Sequence, residues 1–136
     1  MTTTLQKSPK AHVAVTDKLD IPSVTEALAE VLTDTYRLVL KSHTYHWNVT
    51  GPLFFSIHEM TEAHYTDMFA AADVLAERSR ALGKPAMINL AGLTAAPGGQ
   101  DPDANLSAED MVRDLLADHD ALAQRVRALV LTAEAA

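Results

Sequence analysis

The stretch HTYHWNVTGPLFFSIHEMTEAHYTDMFAAADVLAE, His43 to Glu77, decides how the chain is read. Its middle, Gly51-Pro52, breaks helical continuity, because glycine frees the backbone and proline restricts the residue before it. On either side the apolar residues recur at helical spacing. Upstream, Val24, Leu28, Val31, Leu32, Leu38 and Val39 predict a helix that starts just after Pro22 and ends near Asn48. Ser23 followed by Glu26 has the spacing of a capping box for its start. Downstream, Leu53, Ile57, Met60, Met68, Val74 and Leu75 predict a second helix from about Leu53 to Leu82. Gly83 and Pro85 stop it, and Arg78 and Arg80 suit its last turns.

Residues Lys84 to Asn105 hold three prolines and three glycines, a link too long for a tight turn. It predicts a crossover with a short helix near Met87 to Leu93. Ser107 then caps a third long helix striped by Met111, Leu115, Leu122, Val126 and Leu129. Two helices joined closely, a long crossover and another helix make an all-α chain with the order of a ferritin-like bundle. A fourth long helix, which such a bundle needs, is not found before Ala136. Residues 1–20 read as a flexible N-terminal tail and 21–136 as one helical domain.

Composition narrows the classes. The chain has 136 residues, 48% of them hydrophobic and 5% aromatic, enough for one modest core and richer in helix formers than strand formers. It has no cysteine, so disulfides and thiolate metal sites are excluded and a reducing, cytoplasmic setting is expected. No apolar run is long enough to span a bilayer, and the polar N-terminus lacks a secretory segment. A formal net charge of −7 disfavours strong attraction to nucleic acid while favouring metal cations.

The chemistry concentrates on the second helix. Taking His58 as zero, Glu62, Asp73 and Glu77 fall at about 40°, 60° and 100°, so one stripe carries an imidazole and three carboxylates. That nitrogen and oxygen mixture suits Fe(II) and similar divalent ions. His58 and Asp73 are separated by about 22 Å along a helix and cannot share one ion within a chain. An antiparallel second copy removes the difficulty. The pairs 58 with 77 and 62 with 73 both sum to 135, placing a two-fold axis near residues 67 and 68. His46, at the end of the first helix, stands ready to add a second imidazole across the Gly51 turn. The alternative is a solvated helix face with ordinary acid pairs. His43, His64 and His119 lack a comparable set of carboxylates and read as structural or surface residues. His58-Glu59-Met60-Thr61-Glu62 misses the second histidine of the zinc-protease HExxH, and His64 points about 120° away from His58. None of the long helices contains the Glu-x-x-His of a di-iron site inside one bundle.

The run His46-Trp47-Asn48-Val49-Thr50-Gly51-Pro52-Leu53-Phe54, then His58-Glu59-Met60, Asp73-x-x-Ala76-Glu77-Arg78 and Leu82-Gly83, resembles the signature of the Dps family of mini-ferritins. The resemblance implies a homo-oligomer, a hollow dodecamer built from two-fold dimers. It implies oxidation of Fe(II), preferentially by hydrogen peroxide, and storage of a ferric core that protects against oxidative stress. By position, it assigns His46, His58 and Glu62 from one subunit and Asp73 and Glu77 from its partner as the ferroxidase ligands. Trp47 matches a family tryptophan beside that centre. The family usually has aspartate where Glu62 stands; the charge is kept on a longer arm, which alters the weaker metal position. Many Dps proteins also bind DNA through lysine-rich tails. Here Lys7, Lys10 and Lys18 are offset by Asp17 and Asp20, so weak or absent DNA binding is expected.

Overall fold

The structure, a computed structural model, describes residues 20–95 and 101–136. The expected tail therefore lies, but for Asp20, outside the described residues. Helix α1 runs Ile21–Asn48, α2 Phe54–Ala81, the short α3 Leu90–Ala95 and α4 Ala108–Ala135, with no strand among the described residues. Three long helices and one crossover helix thus realise the all-α order read from the sequence.

The ends of the helices follow local chemistry. Asp20, not Ser23, caps α1: its carboxylate accepts from the Ser23 backbone N–H at 3.2 Å and from the Ser23 hydroxyl at 2.7 Å. A carboxylate makes the stronger, charge-assisted bond, and Pro22 in the first turn has no N–H to satisfy. Ser107 caps α4 as expected, accepting from the Asp110 N–H at 3.1 Å. The Gly51 turn between α1 and α2 has φ +91°, a left-handed backbone that side chains oppose. The crossover helix begins three residues later than expected. Its approach is pinned by the Asn89 N–H donating to the Thr33 hydroxyl on α1 at 3.0 Å.

Helix α1 is the centre of the packing, touching α2 and α4 extensively, whereas α2 and α4 meet only sparingly. Leu38, Val39, Tyr45, Val49, Ile57, Met68, Met111 and Leu115 form the main core. Each such side chain contributes roughly 1.5–3 kcal/mol on burial. A second cluster of Leu28, Val31 and Leu129 closes the other end. Polar groups clasp α1 to α4. Lys41, only 8% exposed, bonds Asp114 at 2.9 Å and Asp118 at 2.7 Å, and the Tyr45 hydroxyl donates to Asp114. Lower down, Arg125 reaches Asp34 at 3.0 Å. The apolar stripe expected on the second helix is only partly buried: Leu53, which precedes α2, and Val74 on it are exposed.

Candidate metal centre

The end of α1 and the start of α2 are brought side by side by the five-residue turn, and this sets two imidazoles against each other. His46 and His58 stack with ring centres 3.6 Å apart and planes 17° from parallel. His46 Nδ1 lies 2.9 Å from the His58 carbonyl, and His58 Nδ1 lies 2.9 Å from the His46 carbonyl. A carbonyl oxygen only accepts, so both Nδ1 atoms carry a proton, and the neutral form of each ring has its lone pair on Nε2. Backbone anchoring of one ring nitrogen while the other ligates is the usual device for presenting histidine to a metal. Thr61, fully buried, adds to the hold. Its hydroxyl sits 3.3 Å from His46 Nδ1 and donates to the carbonyls of Ile57 and His58 at 2.7 and 3.0 Å.

Glu62 follows one turn after His58 on the same face. Ligand atoms of His46, His58 and Glu62 all lie within 4.8 Å of one another. The burial is graded: His46 is buried, His58 half-buried and Glu62 exposed. The set therefore opens outward from the bundle rather than into it.

Known proteins carry this architecture. Residues 25–136 match the ferritin-like domain family. The chain is 30% identical over 110 residues to the DNA protection during starvation protein of Helicobacter pylori, covering 80% of this chain and 76% of that relative. The chain belongs to the Dps family of ferritin-like proteins. A low temperature-induced protein of Nostoc sp. is 32% identical over 120 residues, 88% of this chain and 66% of the relative, so the chain spans about two thirds of that length. The Dps crystal structure from Vibrio cholerae, described as one of the ferritin-like diiron-carboxylate proteins, matches with a TM-score of 0.76. It is 26% identical, over 84% of this chain and 72% of that one.

Within this Dps chain the five sequence-assigned ligands split into two groups. His46, His58 and Glu62 come together. Asp73 and Glu77 stay exposed on α2, about 22 Å and more from His58 along the helix axis. They share its face but not its site. Trp47 is 68% exposed and stacks on His43, with ring centres 5.2 Å apart, rather than packing against the His46–His58 pair. His43 is therefore part of an aromatic patch with Trp47, Tyr65 and Phe69. Burial, and next the nearby His46, hold it below the ordinary histidine value. Thr61 escaped sequence reasoning. Its signal was available, since a threonine three residues beyond His58 must lie on the face that looks back at α1.

Proposed function

We propose that this chain is the subunit of an iron-oxidising, iron-storing mini-ferritin whose ferroxidase site is completed by a second copy. The carrying observation is the reciprocal Nδ1–H to carbonyl tether between His46 and His58. It fixes both rings with their Nε2 lone pairs free beside the Glu62 carboxylate.

The rest of the reading follows from α2. Phe55, Glu59, Glu62, Thr66, Phe69, Ala70, Asp73 and Glu77 form one exposed stripe, acidic at both ends and uncharged in the middle. A two-fold crossing near residues 67 and 68 buries the uncharged middle against its own copy. It also lays each His58–Glu62 end against the partner's Asp73 and the partner's Glu77. Carboxylates gathered this closely repel one another unless cations sit between them, so Fe(II) stabilises what it binds. In the proposed arrangement one Fe(II) is held by His58 with the partner's Asp73 and Glu77, and a second by His46 and Glu62. Each ion gives up one electron. Hydrogen peroxide accepts both with two protons, its O–O bond breaks, and two waters result, without hydroxyl radical escaping. The Fe(III) then joins a ferric core inside the assembly, a dodecamer in this reading, in a cytoplasmic, oxidant-exposed setting. Net charge −7 leaves DNA binding as a minor activity at physiological salt.

Anaerobic Fe(II) titration followed by peroxide tests the proposal, with mass recorded under native conditions. Rapid oxidation by the parent, lost in Asp73→Ala/Glu77→Ala, is expected. Equal rates in the two proteins refute the site.

A further inference from the structure

Helix α4 carries two apolar faces. Met111, Leu115 and Leu129 are buried on the side that packs against α1. A second series, Val112, Leu116, His119, Ala123, Val126 and Val130, runs about 90° around the helix from the first, on the side toward α2. Its spacing alternates between four and three residues, the heptad seam of a helix that pairs with another helix. Helix α2 does not cover this seam. His119 packs edge-on against His64 of α2 with ring centres 5.2 Å apart, but the two helices otherwise meet sparingly. Leu116, Val126 and Val130 are left 59%, 40% and 49% exposed. We infer that a second copy of this chain covers the seam with its own α4, running antiparallel about a two-fold axis near residues 124 and 125.

Charge selects this occupant and its direction. Asp120 and Arg127 flank the seam, both exposed and without an ion-pair partner among the described residues. In the antiparallel pair each Asp120 faces the partner's Arg127, and the two-fold operation makes that contact twice. Arg113 and Glu134 fall opposite each other in the same register, although Arg113 already bonds Glu109 and Asp110. A parallel pair would instead set each charge level with its own kind. Shape agrees with charge. The register sets large seam residues against small ones, Leu116 opposite the partner's Ala133 and Ala123 opposite the partner's Val126. Beside Ala133 lies an apolar cavity of about 300 Å³, lined by Val24, Leu28, Leu82, Leu129 and Val130. The partner's Leu116 fills that cavity in the paired state, as a knob fills a hole. The seam is also clear of the Fe(II) face. His64, on the side of α2 toward α4, lies about 120° around that helix from His58, so contacts through α2 and through α4 use different surfaces.

The chain has no cysteine, so thiols placed on the seam report their neighbours without background. Ala123→Cys chains and mass-tagged Val126→Cys chains are mixed, refolded together and mildly oxidised, and the covalent dimers are weighed. The mixed dimer is expected to outnumber the two self-linked dimers by about ten-fold, because thiols held face to face act at a high effective concentration. Asp120→Arg in both chains should cut the mixed yield about ten-fold through like-charge contact with Arg127, and adding Arg127→Asp should restore it. Rescue by the reversed pair is a result that damaged folding does not give. Mixed and self-linked dimers in equal amounts, the outcome of random collision, overturn the proposal, as does a yield that Asp120→Arg leaves unchanged. Thiols that stay unlinked overturn it too. If they react with a small soluble disulfide the seam is bare, and if they resist it a different segment covers the seam.

Discussion

The two ends of α2 carry similar ligand types in very different states. At the N-terminal end, His58 is tied to His46, Thr61 backs the pair, and Glu62 completes a set already within coordinating reach. At the C-terminal end, Asp73 and Glu77 stand exposed with nothing among the described residues to orient them. The first half is pre-organised by its own chain, so metal binding there loses little conformational freedom. The second half depends on what docks against it. In the proposed arrangement the shared site is active only when assembled, which would keep iron chemistry off isolated subunits.

The largest expected effect comes from emptying either half. His58→Ala and Asp73→Ala/Glu77→Ala should each slow peroxide-driven Fe(II) oxidation by about 100-fold or more, read by stopped-flow absorbance. A loss confined to the His58 variant would break the comparison, leaving a one-chain site.

Next in size is a change that should spare both halves. Lys41→Met removes the clasp between α1 and α4 and leaves Asp114 and Asp118, about a third exposed, without their cation. A loss of about 2 kcal/mol in urea denaturation is expected, with the Fe(II) affinity of the assembled protein unchanged. The clasp also has a pH signature. Burial alone would raise Asp114, but hydrogen bonds from Tyr45 and Lys41 outweigh it and hold the group below 3.8. A depressed folded value means the contribution is complete above the unfolded value and is lost as pH falls through the folded one. For Lys41, the bonds to Asp118 and Asp114 overcome burial and raise it above 10.5, so its share persists until pH rises past that point. Stability should therefore fall below about pH 4, and Lys41→Met should flatten that acid limb.

Thr61→Val keeps the shape and removes the hydroxyl beside His46 Nδ1. If orientation of the histidine pair matters, Fe(II) affinity drops by about 10-fold in an anaerobic titration, with the fold intact. The smallest effect should come from Gly51→Ala. No atom lies within 4 Å of the added Cβ, but φ of +91° strains it, so about 1 kcal/mol is lost in thermal or urea unfolding.

Much of this was legible in the chain because its signals are local. The Gly51-Pro52 break, the Gly83 stop and the Ser107 cap each act within a few residues, and they placed three long helices closely. His46, His58 and Glu62 were legible too, since a short turn between two helices leaves few ways to arrange them. The cap of α1 was misread because two overlapping patterns compete there, and the Asp20 carboxylate outbids the Ser23 hydroxyl for the same helix end. Lys41 with Asp114 and Asp118, and His64 with His119, left no local trace. Their members are more than fifty residues apart, and only the packing of α4 against the α1–α2 pair sets them face to face.

Subunit complementation tests the shared site most directly. His58→Ala subunits and Asp73→Ala/Glu77→Ala subunits are unfolded, mixed in equal amounts and refolded together, with hybrid dimers verified by native mass. Each variant alone should be nearly inactive. A hybrid dimer joins the intact histidine half of one chain to the intact acidic half of the other. One site in two is then rebuilt, and about a quarter of parental activity returns in a random mixture. Hybrid dimers that form yet stay as inactive as their parents would contradict a site shared between two copies.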